Sequence, residues 1–224
     1  MKIYTIHSVA DNSLSLKPNM LRRFLRHIKS TDQFLSPSDL LDGGSKNGTL
    51  LTFDDCFADN FVNALPILNE FKVKAIFFFT PGYLGKVRWG SRAKGNWSEN
   101  RSVDYDIPFG FMGLSELHTL LDLGHEIGFH SRTHANLDEC SDVELYDEIF
   151  TAKQEWEDRL GYAFKTFAYP RGRFDSRMFP IIKSAGYCWA FSTKAGVADE
   201  AAFEENPFCL PRCPVQRKGL FGWL

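Results

Sequence analysis

Hydrophobic positions along this chain alternate between two rhythms. Short, mostly apolar, strand-like runs recur at Met1 to His7, Leu50 to Phe53, Val73 to Thr80 and Glu126 to His130, and again at Thr166 to Tyr169, Cys188 to Ser192 and Cys209 to Leu210. Runs of this length bounded by turn residues read as buried strands. Between them the apolar residues fall at helical spacing. Leu21, Phe24, Leu25 and Ile28 form one such stripe over Met20 to Ile28, with Pro18 and Asn19 as start signals. Asn60 to Phe71 forms a second, with a kink expected at Pro66. Ser115 to Leu123 is a third, closed by Gly124. Ser141 and Glu144 make a capping box for a long helix that Gly161 stops after Leu160, and a further helix is expected near Ser176 to Ala185. Strands and helices in strict alternation predict an α/β fold on a largely parallel sheet.

Lys86 to Gly113 has little periodicity and is rich in Gly, Ser, Asn, Arg and aromatics. A connection this long inside a compact domain is expected to be functional or disordered. It carries Arg88, Trp89, Arg92, Trp97 and Arg101. Trp faces can stack on sugar rings and Arg can pair with phosphate or uronate; a plain surface cover is the alternative. No repeat or linker divides the chain, so residues 1–224 read as one domain.

The polar residues that interrupt this pattern sit at strand ends. Asp54, Asp55, His130, Arg171 and Arg212 each follow an apolar run. In barrels of parallel strands the C-terminal strand ends converge on one rim, where active sites form. With fewer than eight strands in view, the expected architecture is an incomplete, distorted (β/α) barrel.

Composition narrows the class. The chain has 224 residues, 44% of them hydrophobic, enough for one sizeable core. A net charge of −2 with scattered basic residues gives no footprint for nucleic acid. No apolar run approaches the roughly 20 residues of a membrane helix, and the N-terminus lacks the pattern of a secretory signal. Five cysteines, an odd number, favour reduced thiols and a cytoplasmic protein. Cys209 and Cys213 lack a second Cys/His pair at zinc-finger spacing.

His130 and His134 are four residues apart, which can bring two imidazoles to one face of a helical turn for one metal ion. Alone, the pair could equally be two surface histidines. Asp54-Asp55 changes the weight: two adjacent carboxylates after a buried strand are costly to bury, and a divalent cation offsets that cost for one of them. In an extended dipeptide the side chains diverge, so one Asp can ligate while its neighbour faces substrate. A helix cap would account for one of the two.

These residues resemble the polysaccharide deacetylases, carbohydrate esterase family four, which share the NodB homology domain. Thr52-Phe53-Asp54-Asp55 matches the first motif, T-F-D-D, and His130 to His134 matches the second, H-S-x-x-H. Gly124 to Gly128 is similar to the lead-in of that second motif, and Phe167-Ala168-Tyr169-Pro170-Arg171-Gly172 resembles the third. The resemblance runs from about Thr49 to Pro214. It implies a distorted (β/α) barrel and hydrolysis of an N-acetyl group on an amino sugar of a glycan, or of a nucleotide- or lipid-linked precursor. It also implies one divalent ion, expected to be zinc, on Asp55, His130 and His134, with Asp54 as general base. Tyr169, Pro170, Arg171, Arg212 and Trp97 are the expected substrate-side residues, and a backbone N–H near Arg171 is expected to face the oxyanion.

Several positions depart from the family pattern. Cys56 stands where Gly is usual, and a small packing role is expected of it. Ala168 stands where an Arg usually orients the catalytic Asp, so Arg171 or Arg212 is expected to substitute. The late L-x-H motif that supplies the catalytic acid has no counterpart, because no His follows His134. His7, at the end of the first strand, is the best replacement, with a structural rim histidine as the alternative. A non-catalytic sugar-binding module on the same fold is the rival reading, and a deformylase or cyclic amidohydrolase using the same metal site is a third.

Overall fold

The computed structural model describes residues 1–91 and 97–215. In chain order the strands are β1 (Lys2–Ile6), β2 (Thr49–Phe53), β3 (Ala75–Phe79), β4 (Val87–Gly90), β5 (Trp97–Ser98), β6 (Ile107–Gly110), β7 (Glu126–Phe129), β8 (Thr166–Ala168), β9 (Trp189–Phe191) and β10 (Cys213–Pro214). Seven of them pair in parallel in the order β10-β1-β2-β3-β7-β8-β9.

Side chains alternate across each strand, and the two faces form separate clusters. Ile3, Leu50, Ile76, Phe78, Ala168, Phe191 and Leu210 pack together on the inner face. Tyr4, Leu51, Phe53, Phe77, Phe79, Phe129 and Phe167 pack outward against the helices. Burial on both faces is why the strands read as continuous apolar runs. Gly128 is fixed by this packing, because a Cβ there would lie 2.3 Å from the Phe78 ring and 2.7 Å from Thr166 Oγ1.

The last segment joins the two edges of the sheet. Leu210 exchanges main-chain hydrogen bonds with β9, from its N–H to Ala190 O and from Ser192 N–H to its carbonyl, both 2.9 Å. Three residues on, Cys213 and Pro214 pair with Tyr4 and Thr5 of β1. The sheet therefore curls into a distorted barrel closed by a single irregular strand. The expected strand at Cys209–Leu210 is corrected here: Leu210 makes an isolated bridge to Phe191, and the regular pairing lies at Cys213–Pro214.

Helices cover the outer face at Pro18–Thr31, Leu65–Phe71, Leu114–Asp122, Asp142–Tyr146, Ala152–Leu160 and Met178–Ser184. The capping box forms, with Ser141 Oγ accepting from Glu144 N–H and the Glu144 carboxylate accepting from Ser141 N–H. Where a kink was expected at Pro66, the chain takes a π-turn over Asn60–Ala64 before the α-helix. Pro66 has no N–H to continue the usual ladder.

In the described part of Lys86 to Gly113 the chain is ordered into strands, so the disordered alternative gives way there. β4, β5 and β6 make a small antiparallel sheet. Its buried residues Phe109 and Phe111 pack on Phe57, just beyond the β2 end. The period-2 signal at Ile107, Phe109 and Phe111 was present but is broken by Pro108 and Gly110, both poor strand formers. Arg92 and the Trp97 side chain lie outside the described residues. Among the described residues no helix is long and apolar enough to cross a membrane.

Candidate active site

The alternation that buries Leu50 and Thr52 on the inner face carries Asp54 to the inner rim, one step past β2. His7 reaches the same rim past β1, and His130 past β7. Asp54 N–H donates to Ile6 O at 2.9 Å and His130 N–H to Phe79 O at 2.9 Å, so the ladder still holds both residues in register.

Asp55 leaves that register. The extended dipeptide expected at Asp54-Asp55 is corrected: Asp55 and Cys56 have φ of 68° and 50°. This left-handed turn swings Asp55 away from Asp54 and toward the histidines. The helical turn expected at His130 to His134 is also replaced, since Ser131 and His134 have φ of 62° and 63°. The loop is shaped by side chains instead. Ser131 Oγ accepts from His134 N–H at 3.1 Å, and the Glu148 carboxylate accepts from Thr133 N–H at 2.9 Å and Oγ1 at 2.6 Å. Arg171 has φ of 57°. All three motif loops thus hold non-glycine residues in a sparsely populated region, at a cost of order 1–3 kcal/mol each that surrounding structure must offset.

Asp55, His130 and His134 each bring one ligand atom to a cluster within 4.8 Å. His130 Nδ1 lies 2.6 Å from Ala168 O. A carbonyl only accepts, so Nδ1 carries the proton and Nε2 presents a lone pair. Burial, opposed by Asp54 and abetted by His134, pulls His130 down to about 4, which keeps the ring neutral near pH 7. That lone pair faces Asp55 Oδ1 at 3.5 Å, with His134 Nε2 3.3 Å from the same oxygen. Asp55 Oδ1 is buried with no hydrogen-bond donor. Acceptors converging on one point in a buried site fit a cation, and two His with one carboxylate is a standard donor set for zinc. Although burial opposes ionisation of Asp55, His134 and His130 hold its carboxyl far below the usual range.

Asp54 faces a different partner. Arg212 is fully buried inside the barrel and grips it bidentately, Nη1 to Oδ1 at 2.7 Å and Nη2 to Oδ2 at 2.9 Å. The guanidinium is fixed from below by Nε to Ser192 O at 2.9 Å and Nη1 to Thr52 Oγ1 at 3.2 Å. It lies over the rings of Phe78 and Phe191, at 5.4 and 5.9 Å from their centroids. Burial alone would push the Asp54 carboxyl up; Arg212, with His130 and His7, outweighs it and holds the group below the carboxylate range. Of the two candidates to replace the missing motif-three Arg, the structure brings Arg212 to Asp54. Arg171 is exposed and its Nη1 donates to Asn136 Oδ1. Ala168 pairs in register with Phe191, beneath the guanidinium.

His7 stands at the open side of the same carboxylate, Nε2 3.9 Å from Asp54 Oδ2, with about half of its side chain exposed. The chain beyond it is clamped by the start of the next helix. Asn60 Nδ2 donates to His7 O at 2.7 Å, Asn63 Nδ2 to Val9 O at 2.7 Å, and the Asp59 carboxylate accepts from Val9 N–H at 2.8 Å and Ser8 Oγ at 2.5 Å. Asp59, Asn60 and Asn63 escaped the sequence reading because they look like ordinary helix-start residues.

Other positions separate from the site. Tyr169 is fully buried in the helix-side core and its hydroxyl donates to Phe208 O at 2.8 Å, so its side chain does not reach the rim as expected; Pro170 is buried beside it. Cys56 is buried and its thiol is pushed well up by burial and the two aspartates, as befits a packing residue. His125 is a core histidine whose Nδ1 accepts from Ala75 N–H at 3.2 Å. Tyr83 missed notice in the sequence; its ring lies 5.4 Å from that of His134.

The family model for polysaccharide deacetylases matches residues 42–190. The chain is 23% identical over 167 residues to the poly-beta-1,6-N-acetyl-D-glucosamine N-deacetylase of Staphylococcus aureus (strain MRSA252), covering 75% of this chain and 54% of that protein. It spans about half the length of the curated relatives it matches. Among solved structures it resembles IcaB from Ammonifex degensii, with a TM-score of 0.79 at 17% identity over 99% of this chain and 95% of that one. It also resembles the Streptococcus pyogenes deacetylase PplD in complex with acetate, with a TM-score of 0.75 at 20% identity over 96% and 92% of the two chains. At these identities the structural likeness is one of fold.

Proposed function

Because the chain belongs to the polysaccharide deacetylase family, we propose that it is a metal-dependent hydrolase removing an N-acetyl group from an amino sugar of a glycan or glycan precursor. The observation that carries this reading is the division of labour between adjacent carboxylates. Asp55 faces the Nε2 atoms of His130 and His134, while Asp54 is held ionised by Arg212 and open toward His7. A binding module has no need for an ionised second carboxylate kept free of the first site.

Asp55, His130 and His134 are the residues that would hold the ion, zinc by the chemistry of the donor set. When bound, such an ion supplies Lewis-acid polarisation of the acetyl carbonyl and activation of a water. Asp54 takes the proton from that water as it attacks. Arg212 keeps the carboxylate aimed and ionised before the step. His7 then donates a proton to the amine as the C–N bond breaks, since an amide anion is a very poor leaving group. The main-chain N–H of Arg171 is the candidate donor to the oxyanion, since Pro170 has none and Gly172 N–H donates to Tyr169 O at 2.8 Å. Five cysteines, an odd number, favour reduced thiols and a cytoplasmic setting.

The test is metal analysis paired with acetate release from N-acetylglucosamine oligomers and from nucleotide- and lipid-linked N-acetyl sugars. His134→Ala should lose the ion while the circular dichroism of the fold persists, because the residue lies on the rim and outside the core. Full metal content in that variant would remove His134 from the site.

His7→Ala should bind the ion normally yet lose kcat by about two orders of magnitude, the usual scale for general acid catalysis. Unchanged kinetics would take His7 out of the mechanism. A metal-loaded wild type silent on every substrate would favour the binding module.

A further inference from the structure

Two guanidinium groups flank the His134 side of this rim without a carboxylate partner among the described residues. Arg88 lies on β4, opposite Phe109 of β6, on the face the ribbon turns toward the barrel. Its Nη1 donates to Tyr83 Oη at 2.6 Å, its Cζ stands 4.8 Å from the Tyr83 ring centroid, and its buried Nε has no hydrogen-bond partner. The Tyr83 ring in turn packs on His134. Arg171 reaches the same flank from the loop after β8, through Asn136, two residues beyond His134.

Neighbouring arginines are treated differently. Arg132 binds Asp147 and Glu155, Arg173 binds Asp138 and Glu139, and Arg177 binds Asp142 and Asp175. The carboxylates that follow Asn136 are therefore already engaged. Among the described residues Arg88 and Arg171 form no ion pair. A half-buried guanidinium lacking both water and a counter-charge at Nε is costly. An incoming anion offsets that cost, and the planar fork suits carboxylate and phosphate oxygens. The phenol of Tyr83 lies within electrostatic reach of Asp55, Arg88 and Arg171 together, which places the pair beside the reacting groups rather than across the molecule.

We infer that Arg88 and Arg171 form a subsite for an anionic group, so that the sugar presented to Asp54 and Asp55 belongs to a negatively charged glycan. The identity of the reacting group rests on the N-deacetylase reading; the anionic preference does not. The anion is a uronate carboxylate or a phosphodiester on the sugar next to the N-acetylated one.

Equilibrium binding by calorimetry, with acetate release measured alongside, tests this on three oligosaccharides of equal length. One is neutral N-acetylglucosamine, one alternates N-acetylglucosamine with glucuronate, and one is linked through phosphodiesters. An anionic oligomer should bind tighter than the neutral one by about tenfold or more, the scale of a charge-assisted hydrogen bond, and high salt should erode the difference. Arg88→Gln and Arg171→Gln should each remove much of the preference for the anionic oligomers, while Arg88→Lys should keep part of it. Whichever anionic oligomer binds tighter identifies the source. Equal binding of all three, or a preference untouched in folded Gln variants, overturns the subsite even if acetate is released. Selective anion binding without acetate release from any oligomer retains the subsite and overturns the deacetylase reading.

Discussion

Asp54→Asn is expected to lower kcat by about two orders of magnitude or more, the scale of a lost general base, while the ion site stays intact. The reason is spatial. The left-handed turn at Asp55 and Cys56 separates the two carboxylates, so Asp55 faces His130 and His134 while Asp54 faces Arg212 and His7. Asparagine keeps one acceptor for the guanidinium but removes the charge. Arg212 is fully buried, and breaking a buried pair by removing one partner costs about 3–5 kcal/mol. The variant should therefore melt lower than wild type, by less than a full deletion at the position would bring. Metal content and acetate release, both measured well below its melting temperature, check the two effects separately. Loss of the ion from a folded Asp54→Asn protein would reverse the roles of the two aspartates.

What the sequence carried was the barrel's periodicity and the residues at its strand ends. Apolar runs ending in Asp54 and His130 were enough to place those two side chains on one rim, because alternation across a parallel strand leaves no freedom about which face they take. The turns beyond the strands were illegible. Cys56 and Ser131 are not residue types that announce left-handed backbone, and the mild enrichment of Asp and His there is too weak a signal to single out Asp55 and His134. The extended and helical geometries expected there both failed, although the residues still converge. Arg212 was one of two arginines expected to orient Asp54, and residue types alone did not choose between it and Arg171. Its pairing with Asp54 depends on a two-residue strand, Cys213–Pro214, whose hydrogen bonds come from β1 at the far end of the chain. The Glu200–Glu205 helix did carry a local signal, Asp199 capping Ala202 N–H at 2.9 Å, which the sequence reading passed over.

Arg212→Met should give the largest loss of stability of any single change in this site, about 3–5 kcal/mol for a buried carboxylate stripped of its partner, and the loss should depend on pH. In the wild type the folded-state Asp54 carboxyl sits below its unfolded value of about 3.9. The pair's contribution is therefore complete above that value and fades only as pH falls through the still lower folded-state pKa. With Arg212 gone, burial dominates and pushes the carboxyl above its unfolded value. Folding of the variant then opposes ionisation, so its deficit against wild type should be widest near neutral pH and narrow as the solution is acidified toward the carboxylate range. The acidic limb of any residual pH–rate profile should shift toward neutrality for the same reason. Arg212→Lys keeps the charge without the fork and should lose less. Urea unfolding of wild type, Arg212→Met, Asp54→Asn and the double variant isolates the pair. Once Arg212 is Met, adding Asp54→Asn should cost far less than it does alone, because the orphaned charge is removed with it. A pH-independent deficit, together with fully additive single losses, would mean that Arg212 packs the barrel interior without governing Asp54.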